Sequence, residues 1–184
     1  EPKYEHMSGY VNGFACVSIK GKCGFIDTKG SVEIPLQFND ARGFSGDLAP
    51  VRSGKLWGYI DKEGQFKILP QFQGDVAGPM IDGIARVRSG RKWGYIDTLG
   101  CFVIPPRFDL ALEFSDGLAA VQKGGLYGYC DTRGSLVIPF QFTYAKEFCG
   151  EYAMAANESF EFGIIDRTGT FVNSLRFGSV GTLR

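Results

Sequence analysis

The chain has 184 residues, of which 44% are apolar, 22% charged and 14% aromatic, enough for one real core but short for two large domains. Its 20 basic side chains balance 20 acidic ones, which excludes the basic excess of a typical nucleic-acid or anionic-membrane binder. No apolar run reaches the roughly 20 residues of a membrane-spanning helix, and 26 glycines with 16 Phe and 8 Tyr favour short strands and tight turns.

Residues 1–9 are polar, with neither an initiating Met nor a hydrophobic signal core, and are read as an N-terminal extension. Whether a leader or a larger parent chain preceded them stays open. From residue 10 a repeat dominates. The segments Cys23-Gly24-Phe25-Ile26-Asp27, Trp57-Gly58-Tyr59-Ile60-Asp61, Trp93-Gly94-Tyr95-Ile96-Asp97, Tyr127-Gly128-Tyr129-Cys130-Asp131 and Phe162-Gly163-Ile164-Ile165-Asp166 align without gaps, their glycines 34, 36, 34 and 35 residues apart. An apolar tetrad precedes each: Phe14-Ala15-Cys16-Val17, Leu48-Ala49-Pro50-Val51, Ile84-Ala85-Arg86-Val87, Leu118-Ala119-Ala120-Val121 and Tyr152-Ala153-Met154-Ala155. Ile34-Pro35, Leu69-Pro70, Ile104-Pro105 and Ile138-Pro139 follow, with Phe38, Phe108 and Phe142 three residues after their Pro and Phe72 two after Pro70.

These landmarks resemble the WG-containing (KWG-type) repeat family over about residues 10–177, with the full signature around Trp57 and Trp93. Cys23, Tyr127 and Phe162 depart from the tryptophan, and Asn173 stands in place of the last proline. The resemblance implies a tandem β-rich array, mostly bacterial, with no family-wide catalytic activity and no active-site residues to carry over.

The residues support this architecture independently. Asp27 to Gly30, Asp61 to Gly64, Asp97 to Gly100, Asp131 to Gly134 and Asp166 to Gly169 each read Asp-x-x-Gly, a hairpin turn in which Asp accepts a local N–H and Gly takes the left-handed conformation. The Trp-Gly strand before the turn, a strand after it that Pro is expected to end, and the tetrad strand make each unit a three-stranded antiparallel meander. The fold class is therefore all-β, with five repeats at approximately 10–43, 44–79, 80–113, 114–147 and 148–177 in one domain and a flexible tail at 178–184. A stack that stays open as a solenoid-like array is favoured over closure into a small five-bladed β-propeller, because units of about 35 residues are lean for blades. The mid-strand glycine is expected to accommodate a ring or backbone from the neighbouring unit, and Phe44, Met80, Phe114 and Phe148 to plug the seams.

The chemistry-bearing residues read as packing. Cys16, Cys23, Cys101, Cys130 and Cys149 form no Cys-x-x-Cys. Three of them, 16, 23 and 130, stand where sibling units carry apolar or aromatic groups, so they read as free thiols used as small hydrophobes, with a Cys16–Cys23 disulfide as the rarer outcome. No metal or cofactor is expected. Free cysteines favour a cytoplasmic location, and removal of a leader would make it secreted or envelope-associated. His6, the only histidine, lies outside the repeats. The Asp ladder, at one residue per unit, reads as structural turn rather than catalytic carboxylate. Basic residues gather at the link between the tetrad and Trp-Gly strands: Arg52, Lys55, Arg86, Arg88, Arg91, Lys92 and Lys123, densest at Arg88, Arg91 and Lys92.

The expected function is a non-enzymatic β-repeat binding or scaffold module that presents an extended surface to a protein partner through these cations, with no nucleic acid and no membrane span. The alternative is a carbohydrate or cell-envelope binding module that uses Trp57, Trp93 and Tyr127 as an aromatic platform.

Overall fold

The computed structural model describes residues 3–173; the expected tail at 178–184 lies outside them. The described residues contain strands and turns and no helix, arranged as five antiparallel sheets, one per repeat. The chain packs as two compact units, Glu1–Phe102 and Val103–Arg184.

The first unit begins with β1 (His6–Met7), β2 (Phe14–Ile19), β3 (Lys22–Asp27) and β4 (Val32–Phe38), which form one sheet. A second sheet follows from β5 (Asp40–Ala41), β6 (Ala49–Ser53), β7 (Leu56–Ile60) and β8 (Phe66–Phe72), and then come β9 (Ala85–Ser89) and β10 (Lys92–Ile96). The second unit opens within β11 (Phe102–Phe108) and continues with β12 (Leu110–Ala111), β13 (Leu118–Lys123), β14 (Leu126–Asp131) and β15 (Leu136–Phe142), then β16 (Tyr144–Ala145), β17 (Ala153–Ala156), β18 (Phe162–Ile165) and β19 (Phe171–Asn173).

Every repeat holds the expected three-stranded meander, and four of the five sheets gain a fourth, two-residue edge strand, three of them from the preceding connector. Asp40 and Ala41 pair with Arg52 and Val51, and Tyr144 and Ala145 with Ala156 and Ala155. His6 and Met7, placed by the sequence in an extension, occupy the same position, opposite Ser18 and Val17. Two-residue strands carry too little periodicity to be read from sequence. The connectors also end in a second tight turn invisible to the repeat pattern: Ser45 bridges Leu48, Ile81 bridges Ile84, and Ser115 bridges Leu118.

The mid-strand glycine and the Ile-Pro step prove to be two halves of one device. Between the pairs Trp57↔Phe72 and Tyr59↔Ile68, β7 advances by two residues while β8 runs back by four, so β8 bulges at Leu69-Pro70 directly over Gly58. A Cβ on Gly58 would stand 2.5 Å from the Ile68 carbonyl oxygen and 2.8 Å from the Pro70 nitrogen. Gly24 lies equally close to the Ile34 carbonyl, and Gly128 to that of Ile138. The backbone that requires glycine thus belongs to the repeat's own third strand, not to the neighbouring unit as the sequence suggested. Pro70 does not end its strand either. A bulge leaves its missing N–H without a ladder partner to satisfy, and β8 runs on to Phe72.

Between repeats, the Ile of this step meets the next turn. Within the first unit Ile34 lies against Gly64 and Ile68 against Gly100, and within the second Ile104 lies against Gly134 and Ile138 against Gly169. The seam plugs are buried: Phe44 sits 5.0 Å from the rings of both Phe14 and Phe25, and Phe148 is 4.9 Å from Tyr129. The core clusters gather residues of adjacent repeats. One joins Phe25, Ile34 and Phe38 to Ala49, Val51 and Ile60, and another joins Tyr129, Ile138 and Phe142 to Ala153, Ala155 and Ile165.

Two predictions follow from the glycines. Gly58→Ala should lower stability by about 1–3 kcal/mol or more through backbone overpacking, whereas Gly9→Ala, with nothing within 4 Å, should stay within about 0.5 kcal/mol in denaturant melts. Gly30 and Gly100 share φ values of +83° and +82°, but a Cβ meets only open space at Gly30 and Ile68 Cγ2 at 2.8 Å at Gly100. Gly30→Ala should therefore cost about 1–2 kcal/mol for the left-handed backbone alone, and Gly100→Ala measurably more; equal costs would mean that Ile68 moves aside freely.

Candidate interaction surface

The Asp ladder is spent on its turns. In each copy one carboxylate oxygen accepts two backbone N–H groups: Asp27 from Lys29 and Ser31, Asp61 from Glu63 and Gln65, Asp97 from Leu99 and Cys101, Asp131 from Arg133 and Ser135, and Asp166 from Thr168 and Thr170. The closing residues Gly30, Gly64, Gly100, Gly134 and Gly169 all have φ between +78° and +84°. Asp61, the one buried carboxylate among the described residues, also pairs with Lys67 at 3.0 Å. Burial alone would raise its pKa, but the N–H of Gln65 and the Lys67 ammonium outweigh that and hold it below the usual range.

Trp57 is completely buried and its Nε1–H donates to the Gly74 carbonyl at 3.0 Å, so neither ring face is open to a stacked ligand. Trp93 and Tyr127 are half-buried. The tyrosines after the glycine, which the sequence did not single out, are as deeply buried as Trp57. The Tyr59 hydroxyl donates to the Gly78 carbonyl at 2.8 Å and that of Tyr129 to the Lys146 carbonyl at 2.7 Å, tying each sheet to the connector that follows. An aromatic in a strand that can bury its ring yet satisfy its hydroxyl was the available signal.

The cations divide into two groups. Arg52 lies 5.7 Å above the Trp57 ring and 3.4 Å from Asp40, and Arg86 lies 5.0 Å above the Trp93 ring, so both cover aromatics. The stem of Arg88 crosses Gly74, and its Nε–H donates to the Gly90 carbonyl at 3.1 Å. Lys55 and Arg91, by contrast, are exposed at the second position of two-residue turns opened by Gly54 at φ +62° and Gly90 at φ +60°, between the pairs Ser53↔Leu56 and Ser89↔Lys92. Lys92 is half-buried beside Arg91. In the second unit Lys123 is exposed at its own turn, which Gly124 and Gly125 make.

The cysteines are free thiols, Cys101 and Cys149 exposed and Cys130 buried. Burial pushes Cys16 and Cys130 up to about 12. Among the described residues no group of three or more His, Cys, Asp or Glu side chains is placed to hold a metal ion, and no helix is long and apolar enough to cross a membrane.

A family model described as "WG containing repeat" matches residues 1–23, 24–57, 57–93, 93–127 and 127–157. The chain belongs to the WG-containing repeat family. Its units run from one Trp-Gly position to the next, half a repeat out of phase with the sheets. No curated protein sequence matches the chain. Among solved structures it is similar to the computationally designed Ika8 protein (TM-score 0.63, 11% identity, 91% of this chain and 59% of that one). It is also similar to Hsv2 of Kluyveromyces lactis (0.63, 11%, 91% and 63%) and to BamB of Moraxella catarrhalis (0.57, 15%, 86% and 56%). Hsv2 and BamB are β-propeller-like, and at these identities the likeness concerns the fold alone. This chain spans about three fifths of the length of each of these three structures. Counting the edge strands, four of its sheets have the four strands of a propeller blade, where the sequence reading had three.

The thiols supply a direct check on this packing. Alkylation at pH 8 followed by mass spectrometry should modify Cys101 and Cys149 first, Cys16 slowly, and Cys130 only after unfolding, because the thiolate is the reacting species. Rapid labelling of Cys130 in the folded protein would contradict its burial.

Proposed function

We propose that the chain is a non-enzymatic β-repeat module that binds a protein partner through side chains held out on the hairpin tips. The observation that carries this reading is the recurrence of an exposed cation at the same turn position of consecutive hairpins, Lys55 and Arg91. The ladder carboxylates and the Trp57 ring are engaged within the fold, while the tips are fixed by two-residue turns and project from sheets packed on buried cores. A surface ordered before binding loses less entropy when it is covered, and cations on such a surface favour an acidic partner face, with a rate that falls as salt rises. The carbohydrate reading loses its central ring, since Trp57 offers no open face.

The test compares capture from native-host lysate by the intact chain, by Lys55→Glu with Arg91→Glu, and by a control carrying Lys29→Glu with Lys146→Glu at other exposed positions. All three should unfold within about 0.5 kcal/mol of one another. The expected result is a set of proteins retained by the wild type and the control at low salt and lost by the tip variant. Identical sets for all three would overturn the tip assignment.

A further inference from the structure

We propose that the first repeat carries a binding site for a planar aromatic ring with an N–H donor, an indole being the simplest example, in the place that the second and third repeats fill with their own tryptophan. The site is separate from the hairpin tips and does not depend on the reading given for them.

The residue before the strand glycine is Trp57, Trp93, Tyr127 or Phe162 in four repeats and Cys23 in the first. The surroundings of that position are nonetheless built to the same plan. Cys23 pairs with Phe38 as Trp57 pairs with Phe72, and the same bulge follows in the partner strand. Replacing a ring by a thiol without moving the framework leaves a hole. A solvent-open recess of about 420 Å³ lies there, lined among others by His6, Cys16, Cys23, Asp40, Ala41 and Arg42. That exceeds the roughly 150 Å³ of a cavity known to admit a benzene ring.

Groups of the kinds that serve the resident indole of the second repeat also border the recess, though not all from the same positions. Trp57 donates its Nε1–H to Gly74, two residues past Phe72. Two residues past Phe38 stands Asp40, whose backbone pairs with Arg52 and whose half-buried carboxylate accepts the Ala41 N–H and lies 3.4 Å from Arg52; the remaining lone pairs of that carboxylate are the acceptor at this edge of the recess. Trp57 lies beneath the Arg52 guanidinium and Trp93 beneath that of Arg86; in the first repeat Ser18 stands opposite Cys23 where Arg52 stands opposite Trp57, and the cation lining the recess is instead Arg42 of the connector. Its floor is Cys16, whose thiol is directed at the Ala41 carbonyl at 3.7 Å, beside Cys23. Neutral sulfur is a favourable neighbour for a ring edge. The recess thus combines a soft floor, an acceptor at one edge and a cation at the rim.

The experiment titrates the intact, reduced protein with indole and separately with N-acetyltryptophanamide, following backbone amide NMR shifts. Saturable binding with a Kd of about 1 mM or tighter is expected, with shifts centred on Cys16, Cys23 and Asp40. Cys23→Trp, which installs the sibling residue, should remain folded and lose the binding at least tenfold. Binding of both probes would assign the ring to a tryptophan side chain of another chain, and binding of indole alone to a free small molecule. The proposal is overturned if neither probe saturates, if the wild-type shifts map elsewhere, or if Cys23→Trp binds as the wild type does. Because the wild-type map is decisive alone, poor folding of the variant would not shelter the proposal.

Discussion

The fold depends on a contact that leaves no room for a single carbon atom. In the first, second and fourth repeats the partner strand bulges at the residue pair that ends in proline, and its backbone lies where a Cβ of the strand glycine would be, 2.5 Å from the preceding carbonyl oxygen at Gly24, Gly58 and Gly128. The bulge turns the Ile before it, or two before Pro70, inward to meet the next turn glycine, and it brings the following Phe back into register opposite the ring position. Glycine, isoleucine, proline and phenylalanine are therefore one coupled requirement spread over two strands. Such coupling makes a repeat recognisable long after most of its other residues have changed.

What remains for function is what packing does not consume. Carboxylates that could have formed a reactive row instead close turns, and the arginines nearest the tryptophans cover rings. Two kinds of place are left over. One is the row of hairpin tips, where side chains are ordered by their turns but engaged by little else. The other is the first repeat, where the plan of the array is kept and its central ring omitted. Both arise from repetition: the first because a position recurs, the second because it fails to.

The candidate surface was legible in part. Clustering of cations at the tetrad link placed Lys55, Arg91 and Lys123 at turns, since glycine at that spacing specifies a two-residue hairpin. The division between Arg52 and Arg86, which stack on rings, and Lys55 and Arg91, which do not, was not legible, because it depends on which side of the pleat each side chain leaves and what lies across from it. Likewise nothing in the sequence around Cys16 and Cys23 announces a recess. They are two small residues until the hairpin brings them to one face beside Asp40 and Arg42.

The sequence by itself determined the number of repeats, their strand and turn types and the inward residues. These follow from local chemistry, namely alternation, Asp-x-x-Gly turns and proline placement, each complete within a few residues. Only the tertiary structure decided that the strand glycine answers to its own repeat's backbone rather than to a neighbour, that proline bulges its strand instead of ending it, and that connectors lend a fourth strand to most sheets. Those outcomes turn on which backbone comes within a few ångströms of which; the recurring residues mark that a contact exists, but their spacing does not say which segment is the partner.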